Sequence, residues 1–151
     1  MIDCIMGVDP GASGAVAFYY PNKTQLISVY DVPLIGKEIN ASALAQLISQ
    51  YQPDLAVVEL VHSMPKQGVA SSFAFGVAYG QIKGIIGAQN IRSIYTSPSK
   101  WKKHFGLSSD KEQARATAIN RWPDSAHFRR KKDHGRAEAA LLALYGSQLI
   151  K

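Results

Sequence analysis

Apolar positions along the chain fall into short unbroken runs first and longer helical stripes later. Residues 2–8 (IDCIMGV) and 14–20 (GAVAFYY) read as buried strands, and the short connector DPGAS makes them an antiparallel hairpin. A third strand is predicted over 24–32 (TQLISVYDV), after the PNK turn. Asn40 then caps a helix, ASALAQLISQY, whose Leu44, Leu47 and Ile48 share a face, and QPD stops it. LAVVEL (55–60) is a continuous apolar strand broken only by Glu59, and IRSIYT (91–96) is a fifth strand. Between these two, residues 65–89 predict a helix through Phe73, Val77, Ile82 and Ile85, despite Gly68, Gly76, Gly80, Gly84 and Gly87. Each helical glycine costs about 1 kcal/mol relative to alanine, so close approach of another helix or a ligand backbone is expected there. SPSKWKKHFGL, SSDKEQARATAINRWP and DHGRAEAALLALYGSQLI complete the chain as helices.

Three antiparallel strands, then strand alternating with helix, then helices, define an α/β domain with a mixed sheet. That order fits the RNase H-like fold: a five-stranded mixed sheet flanked by helices, with the first strand central and the strand ending in Glu59 beside it. At 151 residues and 46% hydrophobic, the chain is expected to form one domain spanning residues 1–151.

Charge sharpens the picture. The net charge is +6, and twelve of the 17 cations fall between Arg92 and Arg136 beside four acids, Asp110, Glu112, Asp124 and Asp133. A basic half on a small domain is the footprint of a polyanion, nucleic acid before membrane. The single cysteine, Cys4, excludes an intramolecular disulfide and cysteine-cluster zinc sites. No window resembles a signal peptide or a membrane span, so a cytoplasmic location is expected.

The acids carry the candidate chemistry. If strands 2–8 and 55–60 are parallel neighbours, Asp9 and Glu59 lie side by side at the carboxyl edge of the sheet, where ligands of open α/β sheets collect. Two carboxylates so close repel unless a cation lies between them, and an oxygen-only set favours Mg²⁺ or Mn²⁺ over zinc. In the last helix Leu141, Leu142 and Tyr145 mark the core-facing stripe, and Glu138 lies one turn before the two leucines, on the sheet side. His134 is about 40° from Glu138 around the helix, whereas Asp133 is about 140° away and equally suited to capping.

The motifs GVDPGASGAVA, AVVELVHSMPKQG, FAFGVAYGQIKG, SPSKWKKHFG followed by Lys111, and KKDHGRAEAALLALYG stand in the order seen in RuvC-like Holliday junction resolvases, which the chain resembles over nearly its whole length. The resemblance implies a homodimeric endodeoxyribonuclease that nicks four-way DNA junctions in pairs using two Mg²⁺ ions, with Mn²⁺ able to substitute. It matches Asp9, Glu59 and Glu138 to three metal-binding acids and either Asp133 or His134 to the fourth ligand. Lys111 matches a lysine that counters charge on the phosphate. Two departures stand out: the final acid is Glu138 rather than Asp, with wider spacing to its partner, and His62 occupies the place of an aromatic that wedges into the junction.

Lys100, Lys102, Lys103, Arg129, Arg130, Lys131 and Lys132 are expected to grip backbone phosphates without reading sequence. Lys66, Gln67, Ser71 and Ser72, at the start of the glycine-rich helix, are candidates for touching the junction. Phe73, Phe75 and Tyr79 serve either core packing or a dimer contact, and Trp101 and Trp122 read as packing residues. Rival readings are a YqgF-type RNase H-like nuclease acting on RNA and a catalytically inactive branched-DNA-binding module. The small size resembles stand-alone bacteriophage members of the group, implying a phage or bacterial source.

Overall fold

A computed structural model describes residues 1–62 and 64–150. Its centre is a five-stranded sheet of β1 (Ile5–Asp9), β2 (Ala15–Tyr19), β3 (Ile27–Asp31), β6 (Leu55–Glu59) and β7 (Arg92–Thr96), in the order β3-β2-β1-β6-β7. β1 runs antiparallel to β2 and parallel to β6, and β6 is parallel to β7. The expected hairpin, central first strand and mixed sheet are therefore present. The first strand starts at Ile5 rather than at residue 2 and runs through Asp9. A two-stranded ribbon, β4 (Leu34–Ile35) with β5 (Glu38–Ile39), was not expected, because two residues per strand leave no periodicity to read.

Helices cover both faces. α1 (Ala41–Tyr51) and α2 (Val69–Ala88) pack on one side through Leu44, Ile48, Ala78, Ile82 and Ile86 against Met6, Val8, Ala56 and Val58. α3 (Pro98–His104), α4 (Lys111–Arg121) and α5 (His134–Leu149) pack on the other, where Trp101, Ala118, Trp122, Leu141 and Tyr145 meet Ile5, Ala17, Leu55 and Val57. Alternate residues of each strand thus feed two separate cores.

The seating of α5 fixes the functional edge. A Cβ on Gly7, in the middle of β1, would lie 2.0 Å from the Ala139 carbonyl oxygen and 2.5 Å from the Ala143 nitrogen. Only glycine there lets α5 lie directly on the central strand. At the start of α5, a Cβ on Gly135 would lie 3.0 Å from Asp9 Oδ2. Small residues on both elements therefore draw the helix down until Glu138 faces the carboxyl ends of β1 and β6.

α2 departs from expectation in two respects: it starts at Val69 rather than at residue 65, which leaves Lys66 and Gln67 ahead of it, and its glycines meet no neighbour. At Gly68, Gly76, Gly80, Gly84 and Gly87, nothing in the described chain comes within 4 Å of where a Cβ would stand, so no close approach is made there within the chain. Val69, Phe73, Gly76, Val77, Gly80, Gly84 and Gly87 share one helical face, and Val69 and Phe73 are 88% and 74% exposed. Phe75 instead stacks on Tyr79 and lies against Gly11.

Candidate metal centre

Val8 pairs with Val58 in the parallel β1–β6 register, so Asp9 and Glu59 emerge together at the carboxyl edge of the sheet. Glu138 arrives from α5. The three carboxylates present ligand oxygens that all lie within 4.8 Å of one another. Glu59 and Glu138 are buried, 8% and 7% exposed, and Asp9 is partly buried.

The electrostatics match that crowding. Burial pushes the Asp9 carboxyl well above its ordinary value, and repulsion from Glu138 and then Glu59 adds to the shift. Glu59 is raised mainly by burial; a hydrogen bond from Trp101 works the other way, and Glu138 raises it further. Two lysines offset part of the negative charge. Lys102 Nζ lies 3.5 Å from Glu138 Oε1, and the charges of Lys102 and Lys111 both favour ionised Asp9 and Glu59. Lys102, expected among the phosphate-gripping cations, thus reaches the acids themselves. Lys111 is the exposed first residue of α4, whose N-cap is Asp110.

The donor set fits a hard divalent cation: oxygen ligands only, close together, with mutual repulsion that a cation would relieve. Thr96, the register partner of Glu59 on β7, carries a buried hydroxyl without a hydrogen-bond partner among the described residues.

Asp133 stands apart. It occupies the position before α5 but makes no side-chain cap to that helix. Instead Oδ2 accepts from the Arg130 backbone N–H at 2.8 Å, the Arg130 guanidinium lies 2.9 Å from Oδ1, and Arg136 Nη1 lies 3.8 Å from Oδ1. Burial works to raise its pKa, but these Arg130 bonds and the Arg136 charge more than offset it and hold Asp133 below the ordinary value. Arg136 also forks onto Asp31 of β3, at 2.8 and 2.9 Å, tying the start of α5 to the sheet. Neither Asp133 nor His134 joins the set of mutually close oxygens. His134, the first residue of α5, is partly exposed.

Among the expected DNA contacts, Lys100, Lys103, Arg129, Lys131 and Lys132 are exposed, while Arg130 is committed to Asp133. His62 and Lys66 are exposed in the segment between β6 and α2. Gln67 bridges the Met64 N–H and the Ser71 hydroxyl, which orders the approach to α2; the N-cap of that helix, Gly68, offers no side-chain cap, and Ser72 N–H bonds the Gly68 carbonyl. The contact that sequence reading missed is Trp101 Nε1 donating to Glu59 Oε2 at 2.8 Å, between residues 42 positions apart. Among the described residues no helix is long and apolar enough to cross a membrane.

The arrangement is an α/β domain with three carboxylates gathered at the carboxyl edge of a mixed five-stranded sheet. No family model matches the chain, and no curated protein does. Among solved structures, Thermus thermophilus RuvC in complex with a Holliday junction substrate superposes with a TM-score of 0.72 at 12% identity, covering 97% of this chain and 95% of that one. A second Thermus thermophilus RuvC structure gives 0.64 at 13% identity, over 97% and 96% of the two chains. The yeast mitochondrial Holliday junction resolvase Ydc2 gives 0.50 at 16% identity, covering 95% of this chain and 78% of that one. The chain therefore shares the fold of these RuvC structures over 97% of its length.

Proposed function

We propose that this chain is a divalent-metal-dependent endonuclease that resolves four-way DNA junctions. The observation that carries the reading is the meeting of Asp9, Glu59 and Glu138 at one sheet edge, on a fold shared with a RuvC bound to a Holliday junction. A binding-only module would gain nothing from concentrating negative charge where DNA must lie.

Asp9, Glu59 and Glu138 would hold Mg²⁺, with His134 as the further ligand in preference to Asp133, whose carboxylate is engaged by two arginines. Bound as a pair, Mg²⁺ ions supply an activated water and stabilise the leaving 3′ oxygen, giving 5′-phosphate and 3′-hydroxyl ends. Lys102 neutralises Glu138 and, with Lys111, brings positive charge to the edge where a phosphate would sit. Burial of Glu59 and Glu138 keeps bulk water from competing for their oxygens. Lys100, Lys103, Arg129, Lys131 and Lys132 hold backbone phosphates and set register. His62, Lys66, Gln67, Ser71 and Ser72, on the segment after β6 and the first turn of α2, would contact the junction.

The exposed face of α2 is the proposed homodimer contact. Phe73 and Val77 supply apolar area, and the glycines admit a second helix at short range, which offsets their cost within the helix. Light scattering on the eluting protein tests this: a mass of two chains is expected, and a monomer at all concentrations removes the dimer.

The activity test incubates the protein with a synthetic four-way junction, a linear duplex and an RNA–DNA hybrid, each with Mg²⁺ and with EDTA. Symmetric, Mg²⁺-dependent nicks on the junction alone are expected. Preference for the hybrid moves the protein to the RNA-directed nucleases, and junction binding without cutting leaves only a binding module.

A further inference from the structure

Trp101 presents itself in the sequence as a core residue, and it is one: its side chain is fully buried, edge-on to Phe105. Its place is also set with care. Ser97 accepts the Lys100 N–H and Pro98 occupies the first turn, which fixes where α3 starts and aims Trp101 inward. From there the indole N–H donates to Glu59 Oε2 at 2.8 Å inside the core. An indole nitrogen only donates, so this contact holds one carboxylate oxygen and favours the charged form. The other oxygen, Oε1, accepts no hydrogen bond from the described residues. The adjacent Lys102 reaches Glu138 and lies 5.6 Å from the Trp101 ring centroid, so consecutive residues of α3 address two of the three acids. Trp122 supplies an internal contrast: also buried, it donates to the Thr24 backbone carbonyl rather than to a carboxylate.

We propose that Trp101 is a positioning residue for the cation site, its indole N–H fixing the Glu59 carboxylate so that the free oxygen is presented to the ion. The proposal rests on the reading of Asp9, Glu59 and Glu138 as a divalent-cation site. Groups that orient ligands from behind are typically worth ten- to a hundred-fold in metal affinity.

The ¹⁵N-labelled chain has two tryptophans and hence two indole N–H correlations. Trp101→Phe removes one and so assigns it. In the wild type, Mg²⁺ is expected to shift the Trp101 signal saturably and Mn²⁺ to broaden it, with Trp122 unmoved. Free Mn²⁺, followed by electron paramagnetic resonance, is expected to show a roughly ten-fold weaker dissociation constant for Trp101→Phe. Benzothienylalanine at position 101, which keeps the bicyclic shape but replaces N–H with sulfur, is expected to show the same loss. If Mn²⁺ neither binds the wild type nor broadens the Trp101 signal, the cation reading fails and the proposal with it. If Mn²⁺ binds and broadens that signal but both variants keep wild-type affinity, Trp101 only packs and the cation reading stands. A loss confined to Trp101→Phe assigns the effect to ring packing and also overturns the proposal.

Discussion

Asp9→Asn should make the metal-free protein more stable. The three carboxylates lie within 4.8 Å of one another. At that separation two unit charges repel by about 3.5 kcal/mol at an effective dielectric constant near 20. Removing the Asp9 charge relieves two such pairs, while the lost attraction of Lys102 and Lys111 returns much of that gain. A net stabilisation of about 1–2 kcal/mol is expected at pH 8, which is about 2–8 °C in Tm for a chain of this size. The sign follows from the raised Asp9 pKa. The folded state holds that proton more tightly than the unfolded state, so this contribution is fully present below the ordinary carboxylate value. It is lost as pH climbs through the window up to the raised folded value. The advantage of Asp9→Asn should therefore widen between pH 4 and pH 8 in EDTA. Saturating Mn²⁺ should reverse the order, since binding at 100 times the dissociation constant stabilises the wild type by about 2.7 kcal/mol and the variant lacks a ligand. Thermal melts followed by circular dichroism, in EDTA and in Mn²⁺, provide the assay. An Asp9→Asn protein that melts lower than wild type in EDTA at pH 8, with an unchanged response to Mn²⁺, would refute the reasoning.

Glu59→Gln and Glu138→Gln should each abolish junction cleavage while leaving junction binding in an electrophoretic mobility assay within about two-fold, because backbone contacts dominate affinity. Asp133→Asn should lower stability by about 1–3 kcal/mol in a denaturant titration, since it removes the buried charge that Arg130 pairs with at 2.9 Å, while Arg136 keeps Asp31. His134→Ala should stay within about 0.5 kcal/mol yet reduce cleavage, which separates strut from ligand. Gly7→Ala should cost at least about 1–3 kcal/mol in the same titration, because its methyl group meets the Ala139 backbone at 2.0 Å. Replacing Lys131 and Lys132 together with alanine should lower the slope of log affinity against log salt by about 2.

The sheet was legible because its central strands are buried on both faces and read as unbroken apolar runs: IMGV and LAVV left little alternative to adjacent core strands. Asp9 and Glu59 were legible for the same reason, as acids standing at the ends of those runs. Glu138 could be placed from the leucines one turn later. What escaped depends on contacts between distant positions. Asp133 looked like a helix cap or a ligand, and its tie through Arg136 to Asp31 crosses more than a hundred residues. Lys102 looked like one of several phosphate-gripping cations, because the sequence does not show which lysine of KWKK turns back toward the sheet. Trp101 read as packing, since nothing in a buried indole's local sequence announces which carboxylate its N–H meets. The glycines of α2 were correctly located on a helix, but the neighbour they predict is not within the described chain.

Asp9, Glu59 and Glu138 are proposed to hold divalent cations jointly. Crystals soaked in MnCl₂ and measured at the manganese absorption edge test this most directly. Anomalous peaks bounded by those three carboxylates are predicted. Peaks only elsewhere on the surface, with the three acids left free of manganese, would contradict the account.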